Sequence, residues 1–276
     1  MSVPTPARTV PSYRVAAPDA DSPALARHHR GGELPPTRSG RDGSFSSQGH
    51  PVPPQLSYRD QAPPPEPAEL LADGLFLAAH DEFTGMPRLR PLRLGLGLAS
   101  AVLAELVFAR KLHLEDRELW IVDHSPPIDA LDHLVHEQIG CEPDCRDLPT
   151  WLGFLRVSAR DLVGERLRRR HVVQLRQGKR GLETLYVPLL DYGTAAWPAV
   201  RVSEQLRRLG PLTQHDIVLA GLMAAIGLHK QLLMGADRAV YEYLGQLIDG
   251  LPAPLHALVI HTRAEVDKTV STGRRS

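Results

Sequence analysis

Two groups of arginines carry the clearest chemical signal in this sequence. Arg88, Arg90 and Arg93 crowd the start of a long apolar segment. Arg156 and Arg160 stand four residues apart, a spacing that puts both on one face of a helix. Arg166, Arg168, Arg169 and Arg170 follow in the same stretch. A guanidinium is a planar fork of N–H donors that matches the oxygens of a phosphate. Forks converging from two separate elements would hold a phosphomonoester headgroup. The same residues would also suit a solvated helix face, paired at i,i+4 spacing with acids such as Asp161 and Glu165.

Other constellations are weaker. Asp129, His133, His136, Cys141 and Cys145 lie close together, and two imidazoles with two thiolates are enough for tetrahedral zinc. The spacing matches no usual finger, however, and surface histidines with free thiols are the expected reading, with no metal. The chain has no Gly-x-Ser-x-Gly elbow, His-Glu-x-x-His pair, phosphate-binding Walker loop or dinucleotide fingerprint. Gly95-Leu96-Gly97 lies inside an apolar segment rather than after a strand, which makes it a packing feature. His124 beside Asp123 invites a catalytic dyad, but no nucleophile accompanies it. No catalysis and no cofactor are expected.

Helical patterns supply the frame that must position these groups. Ala68 to Ala79 reads as a short amphipathic helix, followed by a polar loop from His80 to Pro87. Leu92 to Ala109 is apolar on nearly every face and carries small residues at Gly95, Gly97, Ala99, Ser100 and Ala101. Such a helix belongs in the middle of a bundle. A hairpin is expected from His113 to Val122, then a helix from about Ile128 to Ile139 and one long helix from Leu148 to Arg169. A second hairpin pairs Val172–Leu175 with Thr184–Val187 around a polar turn. Helices from Val200 to Arg208, Thr213 to Leu233 and Arg238 to Leu251 follow, and a last one runs through Val266. The expected fold is mainly α, a helical bundle with small β-hairpins.

Composition sets the outer limits. Of 276 residues, 42% are hydrophobic and 5% aromatic, and 32 basic residues balance 32 acidic ones. Zero net charge disfavours a broad nucleic-acid track and favours a local basic pocket. Four of the cations are Lys and the rest Arg, a bias that fits a GC-rich bacterial genome. Two cysteines cannot staple a domain of this size, so the cytoplasm is the expected compartment. The longest apolar run contains Glu105 and is short for a membrane span, and no leader pattern opens the sequence. Fourteen of the 25 prolines lie in the first 67 residues. That segment has too few apolar side chains to offset its ordering entropy, and disorder is expected there. The expected organisation is a disordered tail over 1–66, one helical domain over 67–269 and a loose end over 270–276.

The stretch from Leu70 through His80 to Gly85 resembles the opening of the Golgi phosphoprotein 3 family, which has bacterial members in actinobacteria. Gly95 through Leu106, with the basic turn Arg110-Lys111-Leu112, is similar to the family in the same order. So are Arg160 to Val163, Arg170 to Val173 and the late Ala- and Leu-rich helix. The similarity extends over about Pro67 to Val266. It implies a mainly helical peripheral membrane protein. Eukaryotic relatives bind phosphatidylinositol 4-phosphate and retain glycosyltransferases in the Golgi. Their pocket uses a Trp and an Arg near the start of the central helix and two basic residues on the later one. Arg90 stands at the Trp position and Ala99 at the first Arg position. Arg160 matches one later basic position; Val157 occupies the other, with Arg156 beside it. In relatives the second hairpin aids membrane insertion and self-association. Here the hairpin is cationic around Lys179 and Arg180, which suits an anionic surface.

The expectation is therefore a non-catalytic protein that docks on anionic phospholipid from the cytoplasm. Arg90, Arg156 and Arg160 would bind the headgroup phosphate, with Arg88 and Arg93 assisting. Lys179, Arg180, Leu182 and Leu185 would touch the membrane surface. A protein client and a second copy of the chain are further partners the resemblance allows, and nucleic acid is not expected. Two rivals remain open. One is a winged-helix-like regulator, with Leu148–Arg169 as its recognition helix and Val172–Val187 as its wing. The other is a protein-interaction adaptor that has lost lipid binding.

Overall fold

The computed structural model describes residues 70–115, 117–177, 184–189 and 192–272. The Pro-rich segment over 1–66 and the hairpin residues Lys179, Arg180 and Leu182 lie outside the described residues.

Ten helices and two antiparallel hairpins make up the described part. The order is α1 (Leu71–Ala79), α2 (Pro91–Phe108), β1 (Leu112–Glu115), β2 (Glu118–Ile121), α3 (Ala130–Cys141), α4 (Leu148–Leu155) and α5 (Ala159–Arg169). Then come β3 (Val173–Gln177), β4 (Thr184–Pro188), α6 (Tyr192–Arg207), α7 (Gln214–Ala225), α8 (His229–Leu232), α9 (Arg238–Asp249) and α10 (Ala253–Thr272). The mainly α class with small hairpins holds. Four helices depart from the sequence expectation. The long helix over Leu148–Arg169 is two, α4 and α5, separated at Arg156–Ser158. The expected Thr213–Leu233 helix breaks at Gly227, whose φ of 85° no helix accommodates. α6 begins well before Val200 and carries Pro198 inside it, and α10 runs on to Thr272.

α2 is the hub. From Leu94 to Leu106 every residue is buried, and α1, α3, α4, α5, α7 and α10 pack around it. It is long and apolar enough to cross a membrane, yet most of it is enclosed by the protein, as expected of a core helix. Ser100 and Thr262 join α2 to α10 with their hydroxyl oxygens 2.6 Å apart and each within hydrogen-bond distance of a carbonyl one turn back; one hydroxyl donates to the other, which donates to its own carbonyl. Both hairpins start from helix ends. Arg110 (φ 56°) and His171 (φ 57°) turn the chain out of α2 and α5 in the left-handed region. The next residues bond back, Lys111 N–H to the Leu106 carbonyl and Val172 N–H to that of Leu167, each 2.9 Å.

One buried network ties four helices together. Arg166 of α5 is inside the protein rather than on the basic face its neighbours suggest. Its Nε donates to Asp73 of α1 at 2.8 Å, and its Nη1 to Glu105 of α2 at 2.9 Å and Asp129 at the N-cap of α3 at 3.1 Å. Glu105 also accepts the Ala72 N–H at 2.6 Å, capping α1, whose own N-cap residue, Leu70, offers no side-chain acceptor. Burial pushes the Asp73 carboxyl up to about 6 against the pull of Arg166. Asp132 rises further above the ordinary range, through burial and the neighbouring Glu105 carboxylate, and its Oδ1 is buried without a hydrogen-bond partner.

A folded state with raised carboxyl pKa values holds protons that the unfolded chain releases. Stability from this network is thus greatest near the ordinary carboxylate pKa and falls as pH rises, through about 6 for Asp73 and beyond for Asp132. Asp132→Asn replaces the protonated acid by a neutral isostere. It is expected to raise the melting temperature by several degrees at alkaline pH and much less near pH 5, flattening the curve. Thermal melts by circular dichroism across that range check this; a variant less stable at every pH contradicts it.

Candidate functional site: a basic cleft at the start of α2

Gly95 sets the geometry of the site. A Cβ built there would lie 2.2 Å from the Arg156 carbonyl oxygen, so only glycine lets α2 press directly on the α4–α5 junction. Beside this contact opens a cleft of about 420 Å³, lined by Pro91 and Leu92 of α2 and by Arg156, Val157, Arg160 and Asp161. Pro91 is the first residue of α2 and Arg90 its N-cap, and no side chain caps that end. Ser158 likewise leaves the start of α5 without a side-chain cap. Helix N-termini carry partial positive charge, so two of them beside two arginines give a surface suited to anions; in α2 Pro91 has no N–H and Arg93 N–H returns to the Arg90 carbonyl at 3.0 Å, which leaves that of Leu92.

Each arginine is held differently. Arg156 Nε donates to the Gly153 carbonyl at 3.1 Å, which leaves the outer fork nitrogens without a partner among the described residues. Arg160 Nη2 donates to the Thr184 carbonyl of β4 at 2.9 Å, and its guanidinium lies 5.5 Å from the Tyr186 ring centroid. Its Nε also faces His80 Nε2 at 3.5 Å. His80, which residue patterns did not single out, is a positioning residue. It is buried at the end of α1, with Nδ1 2.7 Å from the Phe76 carbonyl. A carbonyl can only accept, so Nδ1 carries the proton and Nε2 is free to accept from Arg160. Burial, with Arg160 and Arg88 nearby, holds the imidazole down at about 4, neutral at physiological pH. Asp161, the one carboxylate among the lining residues, faces the Tyr186 hydroxyl at 3.4 Å.

The other expected residues fall elsewhere. Arg90 adjoins the cleft, exposed and without a side-chain partner among the described residues. Arg88 is committed to the α1–α2 loop, paired with Glu82 and donating to the His80 carbonyl at 3.2 Å. Its Nε and Nη2 are engaged within the protein and it does not line the cleft, contrary to an assisting role at the headgroup. Arg93 does not line the cleft; one turn further along α2, it points into a separate pocket beside Gly227. Leu185 is buried in β4 and offers no apolar surface to a membrane. Ala99 is interior, whereas Val157 is 79% exposed at the cleft wall. His136, one of the candidate zinc ligands, faces the Asp123 carbonyl at 2.9 Å, and among the described residues no group of three or more potential ligands is arranged for a metal.

The family model of Golgi phosphoprotein 3 matches residues 71–252, from the first residue of α1 to the end of α9. The chain belongs to the Golgi phosphoprotein 3 family. No curated protein sequence matches it. The matched span contains every element that builds the cleft. A Golgi phosphoprotein 3 domain thus presents, between its central helix and the α4–α5 junction, a cationic concavity with exposed apolar side chains at Leu92 and Val157.

Proposed function

We propose that this protein is a non-catalytic, peripheral membrane protein of the cytoplasmic face that docks on anionic lipid, with the cleft receiving a phosphoinositide-type headgroup. The observation that carries this reading is the meeting of Arg156 and Arg160 with the uncapped start of α2 in one cleft, in a member of this family. The headgroup phosphate takes the outer nitrogens of Arg156, the remaining donors of Arg160 and the Leu92 N–H at the start of α2. Arg90 adds charge at the rim. Val157 and Leu92 are apolar and exposed beside those charges, the pairing by which a peripheral protein adds acyl-chain contact to electrostatic attraction. A cleft of this volume lies within the range of small-ligand sites. The winged-helix alternative loses its recognition helix, because Leu148–Arg169 is broken and α5 buries Val163, Arg166 and Leu167 against the core.

Flotation with vesicles containing phosphatidylinositol 4-phosphate, phosphatidylserine or phosphatidylcholine alone tests the proposal. Binding should favour the phosphoinositide and weaken with salt. Arg156→Gln with Arg160→Gln should reduce it at least ~10-fold, while Val157→Asp should reduce binding to every anionic vesicle. Equal failure of the unaltered protein on all anionic vesicles rejects membrane docking, and recovery of a soluble protein partner under those conditions would describe an adaptor instead.

A further inference from the structure

A second concavity, about 310 Å³, is walled by the end of α7 and by α8, α9 and α10, with Arg93 entering from α2. None of its residues belongs to the cleft. Arg93, Lys230 and Arg263 bring three cations to it against a single carboxylate, Asp267. Among the described residues these four side chains have neither hydrogen-bond nor ion-pair partners. That sets them apart from several cations elsewhere on the surface. Arg168, Arg169, Arg208, Arg238 and Lys268 each hold a glutamate three or four residues away.

Three further features mark the pocket as a binding site. His229 lines it, and its Nδ1 is buried without a hydrogen-bond partner. The Met223 and Ala224 carbonyls lie close to the ring. Burial, with Lys230 and Arg263 nearby, holds the imidazole below its ordinary pKa, so the ring lining the cavity is neutral and adds no charge to it. Gly245 of α9 is also part of the wall, and a Cβ there would meet nothing within 4 Å. Glycine inside a helix is unfavourable relative to alanine, and here its effect is to keep the pocket open. Finally, Ile248, Leu244 and the Tyr241 ring give an apolar wall beside the charges.

Two positive charges in excess, three fork or ammonium donors and an apolar wall fit a doubly charged group carried on a short carbon body. We propose that this pocket binds a phosphomonoester dianion, with Arg93, Lys230 and Arg263 on the phosphate and the carbon body against Tyr241 and Ile248. A soluble metabolite and a monoester lipid headgroup share this chemistry.

Calorimetric titration of the full chain with phenyl phosphate, with phenol as the uncharged control, tests it. The expected result is saturable binding with a dissociation constant of ~1 mM or tighter and none with phenol. Arg263→Gln and Lys230→Gln should each weaken it ~10-fold. Gly245→Met keeps every charge and suits a helix, so it should abolish binding by filling the space while the melting temperature is maintained. Run on the Arg156→Gln/Arg160→Gln chain, which lacks the cleft's phosphate forks, the titration reads the pocket alone, and the saturable binding should persist; this separates the pocket from the membrane-docking site. Flotation on phosphatidylcholine vesicles containing phosphatidic acid identifies the source. A loss of flotation in Gly245→Met assigns the ester to lipid, and unchanged flotation with lost phenyl phosphate binding assigns it to a soluble molecule. Absence of saturable binding, insensitivity to Gly245→Met, or loss of binding on the Arg156→Gln/Arg160→Gln chain would overturn the proposal.

Discussion

Arg166→Met is expected to lower the stability of the chain by about 3–5 kcal/mol at neutral pH. The side chain is buried and makes four hydrogen bonds, to Asp73 at 2.8 Å, Glu105 at 2.9 and 3.3 Å and Asp129 at 3.1 Å, with the Asp132 carboxyl at 3.8 Å. Methionine fills similar space but neutralises none of these carboxylates. Only Arg170 would remain among them, half-exposed and reaching Asp73 at 2.9 Å and Asp129 at 3.6 Å. Removing one partner of a buried ion network costs about 3–5 kcal/mol, because the other charges stay desolvated and unpaired. A domain of ordinary stability has only ~5–15 kcal/mol in total. Arg166→Lys should recover part of the loss, since an ammonium restores charge without the fork that reaches α1, α2 and α3 together. The variant should also regain stability as pH falls from 7 towards 5: its folded state, with carboxyl pKa values raised further, takes up protons that the unfolded chain does not bind there. Urea denaturation followed by circular dichroism at both pH values measures this. A loss below ~1 kcal/mol, or no gain on acidification, would show that the network is not what joins these helices.

How far the sequence foretold this depends on the range of the interactions. α2 was legible because a helix apolar on every face has one place to go, and its small residues marked close neighbours. Both hairpins were legible from their local patterns, with Leu112 and Leu114 inward and His113 and Glu115 outward in β1. Spacing put Arg156 and Arg160 on one helix face, but they stand on either side of the α4–α5 break, and it is the fold that brings both to the first residues of α2. Arg166 was not legible. It stands in a run of arginines, and what buries it is a set of carboxylates contributed by α1, α2 and α3, which no local period records. The break between α4 and α5 was hidden for the same reason. Arg156, Val157 and Ser158 are not helix breakers by type, and Gly95 of a distant helix packs against the backbone there. Pro198 masked the start of α6 in the opposite way, since a proline removes a helix hydrogen bond and reads as a boundary even where packing retains the helix. His80 gave only a weak signal, a histidine opening a polar loop, because its role depends on a strand more than one hundred residues away.

Gly95→Ala is the second change expected to have a large effect, and its sign separates packing from propensity. In an isolated helix, alanine is favoured over glycine by about 1 kcal/mol. At this position the new Cβ would lie 2.2 Å from the Arg156 oxygen, 3.1 Å from its carbonyl carbon and 3.3 Å from its Cα. All three are backbone atoms, so no side-chain rotation relieves the clash. α2 and the α4–α5 junction must move apart by ~1 Å, which loosens the contacts between the core leucines of α2 and those of α4; overpacking of this kind costs about 1–3 kcal/mol or more. The same movement displaces Arg156 from the start of α2, so vesicle binding should fall by more than the loss of folded protein accounts for. Gly97→Ala is the internal control. Its Cβ meets the Ile226 side chain at 2.8 Å and the Leu75 side chain at 3.4 Å, and a rotamer change relieves much of that at ~1 kcal/mol. The two variants should therefore differ in both urea midpoint and phosphoinositide flotation, with Gly95→Ala the weaker in each. If Gly95→Ala is instead as stable as the unaltered protein, α2 does not press on Arg156 as described, and the cleft built on that contact has another shape.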